Sequence, residues 1–433
     1  MTTLENNKKM SLGAKSILGV LLGLIAGLVI LMLVPEGGFR DDVLVGGLFH
    51  FVGDGYLTLI KMTIVPFVFA TLVMGISSAS DVKQVGRIGS KSIGIYLCTS
   101  VFATIIGIVG GMVLKPGVGF DVGSMELESV AEATDVSVAD TLLSMIPSNI
   151  IQSMAEGKMI HIVIFATFFG IAISLIGKKA EPMRNFIDSL GHVMLRIVDI
   201  VMEVTPYGVF CLMAKTVINL GYEVIFALAK YAVCEIGLFV FFAAVIYLPL
   251  LYFGAGVKPA AFLKKYSKIA IIPFSTSSSN ATIPYSIGFL RSMGVSNKIA
   301  GFTIPLGCTI NMDGSSIMQG MTAVFVAQLY NIDLTFPMLL TICITATLAV
   351  IGSPGMPGVV MVTLVVVLQS VGFPLEAIAL IVGIDRFTDM FKTVLNVMGD
   401  SVCSIVIAKT EKELDYDVCY SDVDPMAMKA LDD

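Results

Sequence analysis

Apolar residues in this chain run in blocks too long for the core of a soluble domain, and short charged stretches separate them. A helical pass through a bilayer needs about 20 mostly apolar residues. Residues 17–34, 159–177 and 236–257 contain no Asp, Glu, Lys or Arg. Four less clean blocks, roughly 46–79, 92–114, 190–220 and 297–330, also read as spans, and the first is long enough to run tilted. The first block continues into a full span without a small-residue exit, so it reads as a retained helix and not as a cleaved secretory signal.

Positive residues in short loops set orientation. With the amino terminus inside, beside Lys8, Lys9 and Lys15, the loops on the same side carry Lys83, Arg87 and Lys91, then Lys178, Lys179 and Arg184, then Lys258, Lys264, Lys265 and Lys268. The opposite loops hold Arg40 with Asp41 and Asp42, and the acidic stretch 121–140. Six passes therefore end inside, near residue 258.

Simple spanning fails after that point. Residues 269–290 are uncharged, yet Ser275 to Asn280 are six consecutive hydroxyl or amide residues, and Pro284 follows. Lys268 on one side and Arg291 and Lys298 on the other require both ends inside, so the segment enters and returns. Residues 334–375 are similar, 42 residues without a charge, broken at Gly352-Ser353-Pro354-Gly355-Met356-Pro357-Gly358. Irregular backbone at membrane depth is tolerated only where protein or a wet cavity satisfies it. Two such tips suggest inverted repeats and broken helices, with solute bound between them. The plainer reading of each tip is a loop between short spans, or a kink.

Residues 377–408 form one apolar helix that nevertheless holds Asp385, Arg386, Asp389, Lys392 and Asp400. At 100° per residue Asp385, Asp389, Lys392, Asn396 and Asp400 share one face, with Thr393 and Arg386 at its margins. Ionisable residues inside a membrane are costly and by default functional. The alternative is a structural network in which Asp389 pairs with Lys392 and Asp385 with Arg386. A second polar insertion, Asn311-Met312-Asp313-Gly314-Ser315-Ser316, interrupts the 297–330 block, and unwinding there would free carbonyls for a hard cation such as Na⁺.

Composition agrees with lipid as the main solvent: 56% of residues are hydrophobic and 14% charged, against roughly 25% charged in soluble proteins. A formal net charge of −6 gives no basic field for nucleic acid. The seven cysteines are scattered singly and read as apolar packing residues, and the three histidines are far apart, so no Cys/His metal site or enzyme chemistry is visible.

Taken together, Ser275 to Pro284, Asn311 to Gly314, Gly352 to Gly358, and Asp389-Lys392-Thr393-Asn396-Gly399-Asp400 resemble the dicarboxylate/amino acid:cation symporters, which include the glutamate transporters. The resemblance spans essentially the whole chain. It implies an all-α polytopic membrane protein with eight transmembrane helices, two re-entrant helical hairpins, inverted repeats, a homotrimer and elevator-type movement. It divides the chain into scaffold helices 1–2 (1–80), transport-domain helix 3 with the external acidic loop (81–140), scaffold helices 4–5 (141–220) and transport-domain helix 6 (221–256). Hairpin one (257–296), helix 7 (297–332), hairpin two (333–373), helix 8 (374–410) and a cytoplasmic tail (411–433) follow. Localisation in the cell membrane with both termini cytoplasmic goes with this organisation.

The resemblance also implies roles by position. The solute's amino group would meet Asp389, and its main carboxylate Ser278, Ser279 and Asn396. Thr393, Thr309, Ser277 and Gly355 would lie around it. One Na⁺ site would use Asp400 with backbone oxygens of Gly307, Asn311 and Asn396. A second would use backbone of Thr309, Met312, Val350, Ile351 and Ser353. A third would use Asp313, Asn311, Thr99, Ser100 and Tyr96. Gln319 stands where proton-coupled animal members have a glutamate. Acidic amino acid carriers usually have an arginine where this chain has Lys392, and a second arginine position holds Ser277 or Met390. Arg386, one turn before Met390, could supply that charge. Retained Asp389 favours an amino acid over a bare dicarboxylate. Lys392 could hold a solute carboxylate, pair permanently with Asp389, or lose its proton on burial. A sodium-driven symporter of a small, acidic amino acid is the leading reading. The same carrier selective for neutral amino acids or C4-dicarboxylates, a channel, and a membrane enzyme with Ser277 to Ser279 as nucleophile are the competing ones. The stretch 409–433 reads as a loosely ordered, charged tail.

Overall fold

The computed structural model describes residues 12–78, 86–119, 143, 146–221, 223–351, 355, 358–375 and 377–425. The acidic stretch 121–140 and Ser353 lie outside the described residues. Within them regular structure is helical, apart from one isolated bridge between Val295 and Leu414. A charge-free run in lipid can satisfy its backbone only internally, which is why the apolar blocks become helices. They are Leu12–Leu33, Gly86–Leu114, Met159–Ile176 and Glu223–Phe242, the last continued by wider π-type turns to Gly254. The long second block is one helical path, a π-type helix Phe39–Asp54 running straight into Gly55–Ser78.

The 190–220 block differs from its reading. The helix begins at Glu181 and breaks at Val204, giving Glu181–Glu203 and Thr205–Leu220. Pro206 offers no N–H, and around it Val204 N bonds Val201 O and Tyr207 N bonds Val204 O, both at 3.1 Å, so the helix tightens and kinks. The start was hidden because Glu181 and Asp188 interrupt the apolar run, although both are exposed.

After Gly256 the chain twice doubles back. Pro259–Thr276 stops at Ser277, whose φ of 49° is left-handed, and Ser278 caps the returning helix Ser279–Ser292 by accepting from Ala281 N at 3.3 Å. Phe336–Val350 and Val359–Ser370 form the second pair of packed arms. At 15 and 12 residues these arms are only about 22 and 18 Å long, short of a bilayer core of about 30 Å. Between the two pairs, Asn297–Ile310 and Asp313–Leu329 are separated by Asn311 and Met312, whose ψ values of 71° and 58° are not helical.

Two groups of helices result. Leu12–Leu33 packs on Thr205–Leu220, and Gly55–Ser78 packs on Met159–Ile176 and Glu181–Glu203. The other group surrounds the 35-residue helix Ala377–Glu411, against which both arms of the first hairpin, Asn297–Ile310, Asp313–Leu329, Gly86–Leu114 and Glu223–Phe242 pack.

The tail also departs from its reading. Lys409 to Glu411 belong to the long helix, and residues 413–415 lie against the end of the first hairpin through Ser296 N–Glu413 O (3.3 Å) and Asp415 N–Gly294 O (2.8 Å). Tyr416–Tyr420 is helical, and buried Lys265 donates to the carbonyls of Ser292 (2.6 Å), Cys419 (3.0 Å) and Val418 (3.3 Å). Residues 409–425 are therefore docked, and composition misled because a charged stretch need not be solvated when its backbone has partners.

Candidate functional site

The polar face of Ala377–Glu411 is buried throughout, including Asp385, Arg386, Asp389, Lys392, Thr393, Asn396 and Asp400. Lys392 Nζ lies 2.8 Å from Asp385 Oδ1 and 3.0 Å from Asp389 Oδ1. One ammonium thus holds two carboxylates, and the Asp385–Arg386 pairing is not the arrangement formed. Among the described residues, Arg386 Nη2 and Asp389 Oδ2 have no hydrogen-bond partner although both are buried. Leaving a buried donor or acceptor atom unpartnered in this way costs about 1–3 kcal/mol, more on a charged group. One bare cation donor and one bare carboxylate oxygen can accept a solute of mixed charge. Gly358 lies over Arg386, since a Cβ there would stand 2.8 Å from Nη2. Thr393 Oγ1 bonds Asp389 O at 2.7 Å within the helix.

The two hairpin tips meet beside this helix. Ser278 Oγ donates to Gly355 O at 2.8 Å, and Asn280 N donates to the same carbonyl at 3.2 Å. A Cβ on Gly355 would sit 2.7 Å from Ser279 Cβ, so only glycine permits this approach. Ser277 is half-buried at the left-handed turn, and Ser279 is buried. Cys308 Sγ lies 3.6 Å from Ser279 O and 3.7 Å from Asp400 Oδ2, so this thiol is a polar contact and not only packing.

A second polar centre surrounds the break at Asn311. Asp400 Oδ1 accepts from Asn311 Nδ2 at 3.0 Å, and Asn311 Oδ1 accepts from Thr99 Oγ1 at 3.0 Å. Asp313 accepts from Ser100 Oγ (2.7 Å) and Tyr247 Oη (2.6 Å). Gly314 N donates to Asn396 Oδ1 at 2.8 Å, which ties the break to the long helix. A Cβ on Gly307 would stand 2.5 Å from Asp400 Oδ1, which places that backbone beside the carboxylate. Tyr96 Oη bonds Thr303 O at 3.0 Å nearby. Thr309 Oγ1 bonds Leu306 O at 3.0 Å within its own helix, Met312 is buried at the break, and Val350 and Ile351 are buried at the end of the first arm of the second hairpin. No group of three or more His, Cys, Asp or Glu among the described residues could hold a metal ion, so any cation there would rest on single carboxylates with amide, hydroxyl and backbone oxygens.

Sequence reading missed Tyr247, which lies inside a charge-free run with nothing local to mark it. It also left out Glu235, a buried carboxylate on Glu223–Phe242. Its only signal was an acid in the middle of an apolar helix.

The profile of the Sodium:dicarboxylate symporter family matches residues 12–410. The chain is 35% identical over 419 residues to a proton/glutamate-aspartate symporter of Escherichia coli (strain K12), covering 94% of this chain and 95% of the relative. It is 30% identical to a proton/sodium-glutamate symport protein of Geobacillus stearothermophilus, covering 93% and 95% of the two chains. It is 35% identical to C4-dicarboxylate transport protein 1 of Ralstonia nicotianae (strain ATCC BAA-1114 / GMI1000), covering 84% and 86%. Two of these relatives are named as cation-coupled symporters and the third as a transport protein, and the matching family is one of symporters, which sets the channel and enzyme readings aside. With its buried polar face, paired tips and interrupted helix, the chain belongs to the Sodium:dicarboxylate symporter family.

Proposed function

We propose that this multi-pass membrane protein is a sodium-coupled symporter of a small acidic amino acid, aspartate or glutamate. The observation that carries the reading is the coexistence of unpaired Arg386 Nη2 and unpaired Asp389 Oδ2 in one buried site, while Lys392 is held by two carboxylates. The amino group would take Asp389 Oδ2, the side-chain carboxylate Arg386, and the main carboxylate Ser278, Ser279 and Asn396. Ser277, Thr309, Gly355 and Thr393 would close the pocket. Lys392 then acts by holding Asp385 and Asp389 in place instead of gripping the solute.

Sodium would use three sites. Asp400 with backbone of Gly307, Asn311 and Asn396 forms the first. Backbone of Thr309, Met312, Val350, Ile351 and Ser353 forms the second, beneath the second hairpin. Asp313, Asn311, Thr99, Ser100 and Tyr96 form the third. A hydrogen bond between the tips closes the solute from one side, and cation binding at Asn311 biases that closure because the break is bonded to the solute-bearing helix. The two helix groups support an elevator movement of the second against the first, within a homotrimer in the cell membrane with both termini cytoplasmic.

The test is uptake of labelled aspartate into proteoliposomes under an inward Na⁺ gradient, with glutamate, serine, succinate and malate as competitors. Sodium-dependent uptake blocked by glutamate, with serine at least about tenfold weaker, is expected from the charge on Arg386. Competition by succinate and malate alone would replace this reading with a C4-dicarboxylate carrier, which one relative's name also supports. Uptake indifferent to sodium but driven by a proton gradient would overturn the sodium assignment.

A further inference from the structure

Glu235 lies in the interior of Glu223–Phe242, fully buried, and among the described residues neither carboxylate oxygen has a hydrogen-bond partner. Its helix packs against Ala377–Glu411, Asp313–Leu329, Gly86–Leu114 and Thr205–Leu220. From the first of these, Lys392, Asp385 and Asp389 act on it electrostatically and the Thr388 hydroxyl stands beside it, and Tyr231 acts from its own helix. The charged groups of the other three are engaged elsewhere. Asp313 binds Ser100 and Tyr247, Arg87 and Lys91 pair with Glu411, and Lys215 pairs with Asp54. Tyr96 bonds Thr303 O, and Tyr231 Oη meets Thr322 Oγ1 at 2.7 Å.

The buried charges in this region do not balance. Arg386 and Lys392 face three carboxylates, and Lys392 is committed to Asp385 and Asp389. Glu235 is the surplus, and an ionised buried carboxylate without a cation of its own is strongly disfavoured in the interior. We propose that Glu235 is a proton-binding carboxyl that carries a proton from solvent together with the solute through the transport cycle. This rests on the acidic amino acid reading. Such a solute adds net negative charge beside Asp389, which strengthens proton binding at Glu235, and by reciprocity the proton tightens solute binding.

Among the described residues Glu235 is the only glutamate buried as a whole residue, and the enclosed Glu411 side chain is held ionised by Arg87 and Lys91, so isotopic labelling of glutamate reports on Glu235 in the unaltered protein. Infrared spectra of ¹³C-glutamate-labelled protein are expected to show a protonated glutamic acid band that persists to higher pH when aspartate is bound, and its absence would overturn the proposal. Calorimetry of aspartate binding in buffers of different ionisation heat, at pH values above the titration of the solute-free protein, is expected to show up to about one proton taken up per aspartate, with affinity falling by up to about tenfold per pH unit over that range. Glu235→Gln is expected to abolish that uptake and hold the change below about twofold over the same range. Proton uptake undiminished in the variant, or aspartate binding without it at every pH in the unaltered protein, would overturn the proposal while leaving the substrate reading standing. Unaltered protein that binds no acidic amino acid would overturn both.

Discussion

Lys392 and Arg386 are both buried cations of one helix, yet their environments predict opposite consequences of removal. Lys392 neutralises Asp385 and Asp389 at 2.8 and 3.0 Å, so Lys392→Met would leave two facing carboxylates without a counter-ion. Breaking a buried pair in this way costs about 3–5 kcal/mol, and the variant should show a large drop in thermal stability in detergent with or without solute. Arg386 Nη2 has no partner to lose, so Arg386→Gln should unfold close to the unaltered temperature. Its aspartate affinity should fall by about 30- to 150-fold, roughly 2–3 kcal/mol, measured by titration calorimetry. Equal affinity for aspartate in that variant would remove Arg386 from the site. The polar face itself was legible from 100° spacing, and so was the Asp389–Lys392 pair, but the Asp385–Lys392 pair was not. Asp385 is seven residues before Lys392, about 20° off the same face, whereas its sequence neighbour Arg386 is turned about 100° away.

At the scale of elements, the hairpin tips were the clearest feature of the sequence, because polar residues and prolines interrupt runs that otherwise match lipid. What local pattern could not report was that the tips meet each other. The contact depends on Gly355, where a Cβ would stand 2.7 Å from Ser279 Cβ. Gly355→Val should therefore part the tips and break the Ser278 Oγ–Gly355 O bond of 2.8 Å, while leaving the arms helical. Aspartate affinity should drop by about tenfold or more, on the scale of one lost buried hydrogen bond, with an unchanged far-ultraviolet circular dichroism spectrum. Unchanged affinity would mean that solute binding does not need the closed tips. Packing through glycine was equally hidden. Gly19, Gly23 and Gly27 bring Leu12–Leu33 within contact of Thr205–Leu220, and a Cβ at Gly23 would stand 2.5 Å from Phe210 O. That four-residue spacing is a close-approach motif of membrane helices, and Gly23→Leu should destabilise the pair by about 1–3 kcal/mol, read as lowered thermal stability in detergent.

Over the whole molecule, the sequence places the passes and the broken region, and long-range contacts decide the rest. The tail is the clearest case. Its charge suggested solvation, but a lysine 150 residues earlier holds it, since Lys265 Nζ donates to carbonyls of Ser292, Val418 and Cys419. Lys264–Asp422 and Lys268–Asp424, at 3.1 and 3.4 Å, link the same surfaces, and the Lys264 hydrogen bond holds the Asp422 carboxyl below its usual range. Both of these pairs are exposed, so they contribute little and are screened by salt, whereas the buried Lys265 bonds are not. The two sets can be separated by limited trypsin digestion, following the peptide that begins after Lys412, an exposed residue of left-handed conformation. Salt at about 0.5 M should leave that cut slow. Lys265→Met strands three carbonyls, and losing about 1–2 kcal/mol of docking should speed the cut by about five- to thirtyfold when opening precedes cleavage. If salt alone released the tail, the exposed ion pairs would be its anchor. If neither did, the bridge between Val295 and Leu414 and the backbone bonds at Ser296 and Asp415 would suffice to make the tail part of the hairpin it rests on.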